Sequence, residues 1–282
     1  MALEIRTLGG ALGAEVLGAN LTEPLLPEEV KAIQEAFLEY HLLCFRIEPL
    51  EAPDFIRVAR YFGEPQLQLI RTQRHLETPE VSVLESTYQS TRDKPDDLTG
   101  VRLAGWHTDD SYFAVPAKAT MLQSIAIPIE GGQTKFCNMR KAYEDFPDDQ
   151  KSEIDGLRAV HGYDTVRAPG RPKERTREEI NETPDVEHPL VRTHDDTGQK
   201  SFYFNSNRTD KIVGWERPQS DALLDAVYAQ ITKQEYQYHH EWQVGDLLLW
   251  DNRCLVHAVN VDYPVGQKRL HQRILLKGER PV

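Results

Sequence analysis

The feature that most constrains the fold of this chain is a histidine and an aspartate two positions apart, His107 and Asp109. Side chains alternate along an extended strand, so we expect Asp109 to point where His107 points and Asp110 to point away. One more histidine would complete a two-histidine, one-carboxylate set, which covers one face of a metal ion and leaves positions open. His257, far downstream, is the candidate, so the fold has to bring two distant segments together.

A His-x-Asp pair alone is a weak signal, because the chain has ten histidines and 45 acidic residues and most such pairs only face solvent or fill polar interior positions. A closed structural zinc site takes its ligands from short, cysteine-rich spacings. Cys44, Cys137 and Cys254 are too few and too widely spaced for that. Their odd number and spacing predict reduced thiols and a cytoplasmic setting.

A second charged pattern lies near the C-terminus. If residues 268–276 form a strand, Arg269, His271 and Arg273 share one face. Inward-facing arginines need anionic partners, because a buried unpaired charge is very costly. A bound dicarboxylate would supply them, since a guanidinium group matches a carboxylate as a fork. The alternative interpretation is that these arginines pair with acidic residues of the chain itself.

Together with these elements, Gly-Gly-Gln-Thr at 131–134 and Trp-Asp-Asn-Arg at 250–253 give the chain a specific likeness. It resembles the taurine / 2,4-dichlorophenoxyacetate dioxygenase family of Fe(II)- and 2-oxoglutarate-dependent oxygenases. The order of the motifs agrees, and so does the wide gap between the two metal half-sites. The resemblance extends over nearly the whole chain, from residue 9 to residue 276.

The resemblance implies roles for particular residues. The iron ligands would be His107, Asp109 and His257. Thr134 would hydrogen-bond the distal carboxylate of 2-oxoglutarate, the cosubstrate, and Arg269 would pair with the same carboxylate.

Arg273 would lie near the iron-side end of the cosubstrate or near an anionic group of the substrate. The spacing from His257 to Arg269 is one residue longer than the family pattern, which leaves the division of roles between Lys268, Arg269 and Arg273 open. Arg269 is preferred over the lysine because a planar fork fits a carboxylate better than a point charge does.

The resemblance also implies a reaction. A small anionic substrate would be hydroxylated at a C–H bond with O2, coupled to decarboxylation of 2-oxoglutarate to succinate and CO2. Residues 131–143 and 152–158 look closer to the aryloxyalkanoate branch, which favours a carboxylate substrate. A sulfonate substrate of the taurine type is the alternative. Whether the product is a stable alcohol or a cleaved ether or sulfonate stays open.

Two other classes of function use the same residues. A hydrolase would hold zinc in the same three-ligand site to activate water. The paired arginines and Thr134 favour the oxygenase, since a hydrolase needs no dicarboxylate cosubstrate. The second class is a catalytically silent binding module. It would have lost one of the metal-ligating residues, and all three are present.

Length and composition agree with one enzyme domain over residues 1–282. The chain has no apolar run near the ~20 residues that span a bilayer, so no membrane contact is expected. The N-terminus lacks the pattern of a signal peptide. The net charge of −12 argues against nucleic-acid binding. A homodimer or homotetramer is the family expectation.

The sequence pattern predicts an α+β fold with many short, mostly antiparallel strands and flanking helices. This fits a double-stranded β-helix, a jelly roll of the cupin-like kind, and the resemblance implies the same. Helices are predicted at 27–40, 52–62, 141–155 with a break at Pro147, and 218–232. Segments 86–105 and 163–188 lack apolar periodicity and are predicted lids.

Aromatic and amide side chains near these motifs are candidates for the wall of a substrate cavity, although core packing is the favoured role for aromatic residues in strands. They are Tyr112, Phe113, Tyr203, Phe204 and Asn205.

Overall fold

The computed structural model describes residues 3–86, 105–168 and 174–282, and these residues form sixteen strands and six α-helices. The helices are α1 (Pro27–Tyr40), α2 (Ala52–Arg60), α3 (Met139–Glu144), α4 (Asp148–Ile154), α5 (Arg177–Asn181) and α6 (Arg217–Ile231). The strands are β1 (Glu4–Thr7), β2 (Ala14–Leu17), β3 (Leu42–Phe45), β4 (Pro65–Gln66), β5 (Ser82–Glu85), β6 (Ala117–Ala126), β7 (Thr134–Asn138), β8 (Arg158–His161), β9 (Val186–Pro189), β10 (Val191–Thr193), β11 (Lys200–Phe202), β12 (Thr209–Ile212), β13 (Gln237–His240), β14 (Leu247–Asp251), β15 (Leu255–Val259) and β16 (Leu270–Lys277).

The larger sheet carries its strands in the order β1-β2-β3-β14-β6-β16-β4, with β5 beside β16. The pairs are antiparallel except β2 with β3. In the centre, Leu249 of β14 pairs with Leu43 of β3 on one side and with Met121 of β6 on the other. Every residue of β14 is buried. A strand covered on both faces needs apolar side chains on both, which explains its unbroken Leu-Leu-Leu-Trp run.

A layer of buried apolar side chains lies between the larger sheet and a three-stranded sheet of order β13-β7-β15. The larger sheet contributes Leu122 and Trp250, and the smaller sheet contributes Phe136 and Leu255. The rings of Phe136 and Trp250 meet edge to face with centroids 5.4 Å apart, a favoured arrangement of aromatic pairs. The ring of His257 packs on this layer, 4.8 Å from Trp250 between centroids. One candidate metal ligand is therefore fixed by the core itself.

Helices cover the outer faces of both sheets. Ile33 of α1 and Phe55 of α2 pack with Leu249 and Ile274 of the larger sheet in one buried cluster. Helix α1 ends at Tyr40, and the φ of +62° at the next residue, His41, turns the chain into β3. Helices α3 and α6 form a second cluster with the outward-facing residues of β15. Among the residues that the structure describes, no helix has the length and apolar character that crossing a membrane requires.

The helix predictions agree with the structure within a few residues. The predicted helix at 27–40 is α1, and the helix predicted at 141–155 is divided into α3 and α4 on either side of Phe146 and Pro147. Strand β2 ends at Leu17, because Gly18 adopts a φ of +81° that no strand continues through.

The predicted lid segment 163–188 contains regular structure that its sequence pattern missed. Thr176 and Glu179 close a capping box at the start of α5, each side chain accepting the other's backbone N–H. Strand β9 pairs with β8 and aligns His188 with Ala159. Both elements are too short and too polar to produce a periodic signal. The lid role of this segment stays a prediction, and the other predicted lid, 86–105, lies outside the described residues apart from its two ends.

Candidate active site

An antiparallel bridge between His107 and His257 sets the geometry of the predicted metal site. The N–H of His107 donates to the carbonyl oxygen of His257 at 2.9 Å, and the N–H of His257 donates back at 2.7 Å. The two imidazole rings therefore lie side by side, with centroids 4.1 Å apart. One ligand atom from each of His107, Asp109 and His257 lies within 4.8 Å of the others. The fold thus brings the three predicted ligands together.

The backbone between the first two ligands is not the strand that the sequence analysis assumed. Only His107 pairs with a neighbour, and a turn begins at Asp109. Asp110 adopts a left-handed conformation with φ of +57°. Its carboxylate accepts hydrogen bonds from Gln66 at 2.9 Å and from the Tyr112 hydroxyl at 2.8 Å. The expectation that Asp110 points away was wrong, because the turn lets it line the same cavity as Asp109.

The Asp109 carboxylate is held by a relay of hydrogen bonds from the larger sheet. The Thr120 hydroxyl donates to Asp109 Oδ2 at 2.6 Å. Asn252 donates to Thr120 Oγ1 at 2.8 Å, and Trp250 Nε1 donates to Asn252 Oδ1 at 2.9 Å. This leaves Asp109 Oδ1 available to a metal, and such outer contacts orient a ligand carboxylate. Sequence reasoning missed Thr120, because an isolated threonine in a core strand carries no signal.

The two histidines are oriented in different ways. His107 Nδ1 lies 2.9 Å from the carbonyl oxygen of Gly105, so this nitrogen carries the proton and Nε2 keeps its lone pair. The ring of His257 is held by packing against Phe136 and Trp250. Its Nε2 lies 3.9 Å from Asp109 Oδ1. Both rings can therefore present a nitrogen lone pair to a metal.

The charges suit metal binding. Burial raises the pKa of Asp109, but His257, Arg273 and His107 outweigh it and lower that pKa to about 2. Burial and the neighbouring His107 lower the pKa of His257 to about 3, and burial lowers the pKa of His107 although Asp109 acts in the opposite direction. At neutral pH the site therefore holds two neutral imidazoles and one carboxylate, the protonation states in which these groups bind metals.

A cavity of about 250 Å³ opens beside these ligands. At its far end Arg269 is buried and donates to Thr134 Oγ1 at 3.4 Å and to Ser86 Oγ at 3.2 Å. Trp242 Nε1 also donates to Thr134 Oγ1, at 3.0 Å. The Thr134 oxygen accepts two hydrogen bonds, so its own hydrogen is left to donate to an incoming acceptor. Burial lowers the pKa of Arg269 to about 10, although Tyr263 opposes it, so an anion bound here would stabilise the cation.

The glycine pair before β7 lets the chain approach Arg269 closely. Gly132 has φ of +70°, and its carbonyl oxygen accepts from Arg269 Nε at 3.3 Å. Its N–H donates to Asp262 at 2.8 Å. A Cβ at this position would lie 3.1 Å from Pro128. The turn at Gly131 and Gly132 therefore helps to form the far end of the cavity.

Strand β16 presents alternate residues to the cavity, as its pattern predicted. Arg269, His271 and Arg273 all line it, while Gln272 faces the opposite side and donates to Gln123 at 2.9 Å. Arg273 lies at the metal end: its Nη1 is 3.6 Å from Asp109 Oδ1. The two arginines thus flank the cavity, one at each end. Sequence reasoning placed His271 on this face and gave it no role.

Aromatic and cationic side chains form another wall. The Arg208 guanidinium lies 4.3 Å from the ring centroid of Tyr163 and 5.2 Å from that of Tyr112. All three line the cavity. Sequence reasoning included Tyr112 but missed Arg208 and Tyr163, which belong to segments without motifs.

The other predicted cavity residues have structural roles. Tyr203 and Phe204 are fully buried in the core, and Phe113 packs on Tyr112 with ring centroids 4.8 Å apart. Asn205 donates to the carbonyl oxygen of Thr108 at 2.7 Å, which fixes the turn that carries Asp109. None of these four residues is among those that line the cavity, and the packing of the three aromatic side chains fits the core role that was favoured for them.

The chain is similar to proteins of known activity. The model of the "Taurine catabolism dioxygenase TauD, TfdA family" matches residues 4–275. An α-ketoglutarate-dependent 2,4-dichlorophenoxyacetate dioxygenase from Burkholderia sp. (strain RASC) is 33% identical over 263 residues, covering 91% of this chain and 88% of that protein. An alkylsulfatase from Acinetobacter baylyi is 31% identical over 289 residues, covering 98% and 86%. The crystal structure of AAD-2 in complex with Mn(II) and N-oxalylglycine has a TM-score of 0.81 and 29% identity, covering 100% and 99%.

These similarities extend over nearly the whole of each chain, so they concern the complete domain and not one motif. The α-ketoglutarate of the relatives' names is 2-oxoglutarate. Fe(II) and 2-oxoglutarate are accordingly the metal and the cosubstrate of this enzyme. The chain belongs to the TauD, TfdA family and is a 2-oxoglutarate-dependent non-haem iron dioxygenase.

Proposed function

We propose that His107, Asp109 and His257 hold the Fe(II) and that the enzyme hydroxylates a C–H bond of a small organic carboxylate. The observation that carries the proposal is the approach of the three ligand atoms to within 4.8 Å of one another, beside a cavity that ends at a buried arginine. The donor set fits the metal: two neutral imidazoles and one carboxylate on one face suit Fe(II) and leave its other face open.

Thr134 and Arg269 bind the distal carboxylate of 2-oxoglutarate. Arg269 supplies a fork of donors and Thr134 supplies its free hydroxyl hydrogen. Their burial excludes water from the carboxylate, which strengthens each of these hydrogen bonds. Arg273, 3.6 Å from the Asp109 carboxylate, places positive charge at the metal end, near the 2-oxo acid group or an anionic group of the substrate.

The reaction balances as substrate C–H, O2 and 2-oxoglutarate giving substrate C–OH, succinate and CO2. Bound iron and 2-oxoglutarate supply the oxidising chemistry. The side chains of the chain orient both partners and keep bulk water out. Asp109 is held by Thr120 so that one oxygen faces the metal position, and His107 is held by Gly105.

The substrate carboxylate would lie between Arg273 and the wall formed by Tyr112, Tyr163 and Arg208. Guanidinium groups at two sides favour an anion, and the tyrosine rings favour a flat or apolar body next to it. Relatives named as 2,4-dichlorophenoxyacetate and (S)-phenoxypropionate dioxygenases support this choice.

A sulfonate or sulfate ester is the second candidate substrate, since an alkylsulfatase is also among the relatives and the same arginines would bind either anion. A zinc hydrolase with the same ligands is not favoured, because a hydrolase needs no dicarboxylate cosubstrate for the buried Arg269 and Thr134 to bind. For the fold, we infer that the two facing sheets form a double-stranded β-helix in one domain of 282 residues. A homodimer or homotetramer stays a prediction.

The test is anaerobic addition of 2-oxoglutarate to the Fe(II)-loaded protein. A new visible absorption band is expected, and its absence would count against the proposed site. A screen for succinate release over carboxylates, sulfonates and sulfate esters then identifies the substrate class. The proposal expects the largest stimulation from an aryloxy- or alkyl-carboxylate; stimulation by sulfonates alone would replace the carboxylate with the second candidate.

A further inference from the structure

One polar side chain in the cavity is not accounted for by the roles above. His271 is 1% exposed, and neither of its ring nitrogens has a hydrogen-bond partner among the described residues. Nearly all buried polar groups in proteins are paired, and leaving one unpaired lowers the stability of the fold. A side chain kept in this state suggests that its partner is a bound molecule.

The position of His271 indicates which molecule. It lies on β16 midway between Arg269 and Arg273, and all three line the cavity. Alternate residues of a strand are about 6.6 Å apart. A molecule that extends from the metal ligands at the Arg273 end to Arg269 at the far end therefore passes the His271 ring.

The residues around the His271 ring place it at the Arg269 end of the cavity. The Trp242 indole meets the His271 ring edge to face, with centroids 4.7 Å apart. The same indole donates to Thr134 Oγ1. Burial and the positive charge of Arg269 hold the pKa of His271 well below its usual value, so the ring is neutral at physiological pH. A neutral imidazole carries one N–H donor.

We propose that His271 is a third ligand of the cosubstrate, donating a ring N–H to the distal carboxylate of bound 2-oxoglutarate beside Thr134 and Arg269. The inference rests on the proposed function, since it needs the dicarboxylate in this cavity. It also explains why an imidazole is kept where a leucine would stabilise the ligand-free fold: the unpaired nitrogens are paired on binding.

Two substitutions separate hydrogen bonding from packing. His271→Leu fills the space but donates nothing, whereas His271→Asn keeps a donor but leaves a gap. The affinity for 2-oxoglutarate is measured by anaerobic titration of the absorption band with Fe(II) and by calorimetry with Mn(II). His271→Leu should weaken binding about tenfold or more, the effect of one hydrogen bond to a charged group, and His271→Asn should retain more affinity than Leu.

The unfolding midpoint of ligand-free His271→Leu should equal or exceed that of the parent, which shows that the variant folds. His239→Leu, on an exposed strand position, is the control and should bind 2-oxoglutarate as the parent does. The inference is overturned if Leu binds as tightly as the parent, if Leu binds better than Asn, or if only the KM of the organic substrate rises. A parent protein that gives no band with 2-oxoglutarate refutes the proposed function instead.

Discussion

The proposed metal site and two similar clusters differ in what holds the carboxylate. In the described part of the chain, three groups of side chains bring possible ligand atoms within 4.8 Å of one another. They are His107 with Asp109 and His257, His41 with Asp251 and Cys254, and Cys44 with His240 and Asp246. Distance alone therefore does not distinguish a metal site from a structural cluster.

In the two similar clusters the carboxylate is already occupied. Arg253 binds Asp251 as a fork, at 2.8 and 2.7 Å, and His194 lies 2.9 Å from the same carboxylate. In the other cluster, Arg46 Nη1 donates to both oxygens of Asp246, at 3.0 and 2.8 Å. These contacts occupy both oxygens of each carboxylate, so neither Asp251 nor Asp246 has an oxygen left free for a metal.

The cysteines of these clusters are poor ligands as well. Burial raises the pKa of Cys44 to about 12 and raises that of Cys254 well above its usual value. Only the thiolate binds metals. Asp109, in contrast, has one oxygen held by Thr120 and the other 3.9 Å from His257 and 3.6 Å from Arg273. A half-satisfied carboxylate is what distinguishes the proposed metal site from the other two clusters.

The largest effect is expected from Asp109→Ala, which removes that carboxylate. Succinate formation should be abolished and the affinity for Fe(II) or Mn(II) should fall by more than about 100-fold, since even outer contacts of a ligand are worth 10- to 100-fold. Equilibrium dialysis with Mn(II) and a succinate assay measure this. Asp149→Ala, which removes an exposed acid, is the control. Parental succinate formation by Asp109→Ala would show that the ligand assignment is wrong.

Asp251→Ala should give the opposite result. It leaves Arg253 buried without its main partner, so the free energy of unfolding should fall by about 3–5 kcal/mol. The Mn(II) affinity of the folded fraction should stay at the parental value. Urea denaturation measures the first effect and Mn(II) dialysis below the transition measures the second. Loss of metal binding with unchanged stability would show that the metal binds at the cluster of Asp251 and not at that of Asp109.

A smaller effect is expected from Thr120→Val, which removes the hydroxyl that orients Asp109 without changing the side-chain shape much. The metal affinity should fall by about 10- to 100-fold, because the carboxylate is free to rotate. Thr193→Val, in a strand outside the site, should leave it unchanged. Equal metal affinity in Thr120→Val and the parent would show that Asp109 is oriented by the turn alone.

The sequence predicts the parts of the site that depend on local geometry. Arg273 lies on β16 and Arg269 directly precedes it, and both line the cavity as the alternating pattern predicts. The motif at His107 predicts two ligands although its backbone turns at Asp109. The sequence does not reveal residues whose role depends on distant neighbours. Thr120 matters only because Asp109 and Asn252 pack against it.

The same reasoning applies to the fold. Helix α1 and the core strand β14 were predictable from the sequence. A long amphipathic pattern predicts a helix, and a short unbroken apolar run predicts a strand that is buried on both faces. Helix α5 and strand β9 were not, because they are short and polar and exist through a capping box and through pairing with β8. Tertiary contacts decide whether such short segments form a helix or a strand.

The smallest expected effect concerns a buried histidine outside all three clusters. Burial lowers the pKa of His188 to about 4, although the carbonyl oxygen of Phe113, 2.9 Å from Nε2, acts in the opposite direction. Between pH 6.5 and 4 the unfolded chain binds this proton and the folded chain does not, so its contribution to stability is lost as the pH falls through that window. The loss is at most about 1.4 kcal/mol per pH unit.

Urea denaturation at pH 7, 6 and 5 tests this with His188→Gln, which cannot take up the proton. The free energy of unfolding of the parent should fall more steeply with decreasing pH than that of the variant, even if the variant is less stable at every pH. Thr193→Val, which replaces a group that does not titrate in this range in a strand outside the site, should keep the parental slope. Identical slopes for the parent and His188→Gln would mean that this imidazole gains its proton without disturbing the fold. A lowered histidine pKa would then not by itself mark a special site. The carboxylate would be the feature that distinguishes the proposed metal site from the rest of the molecule.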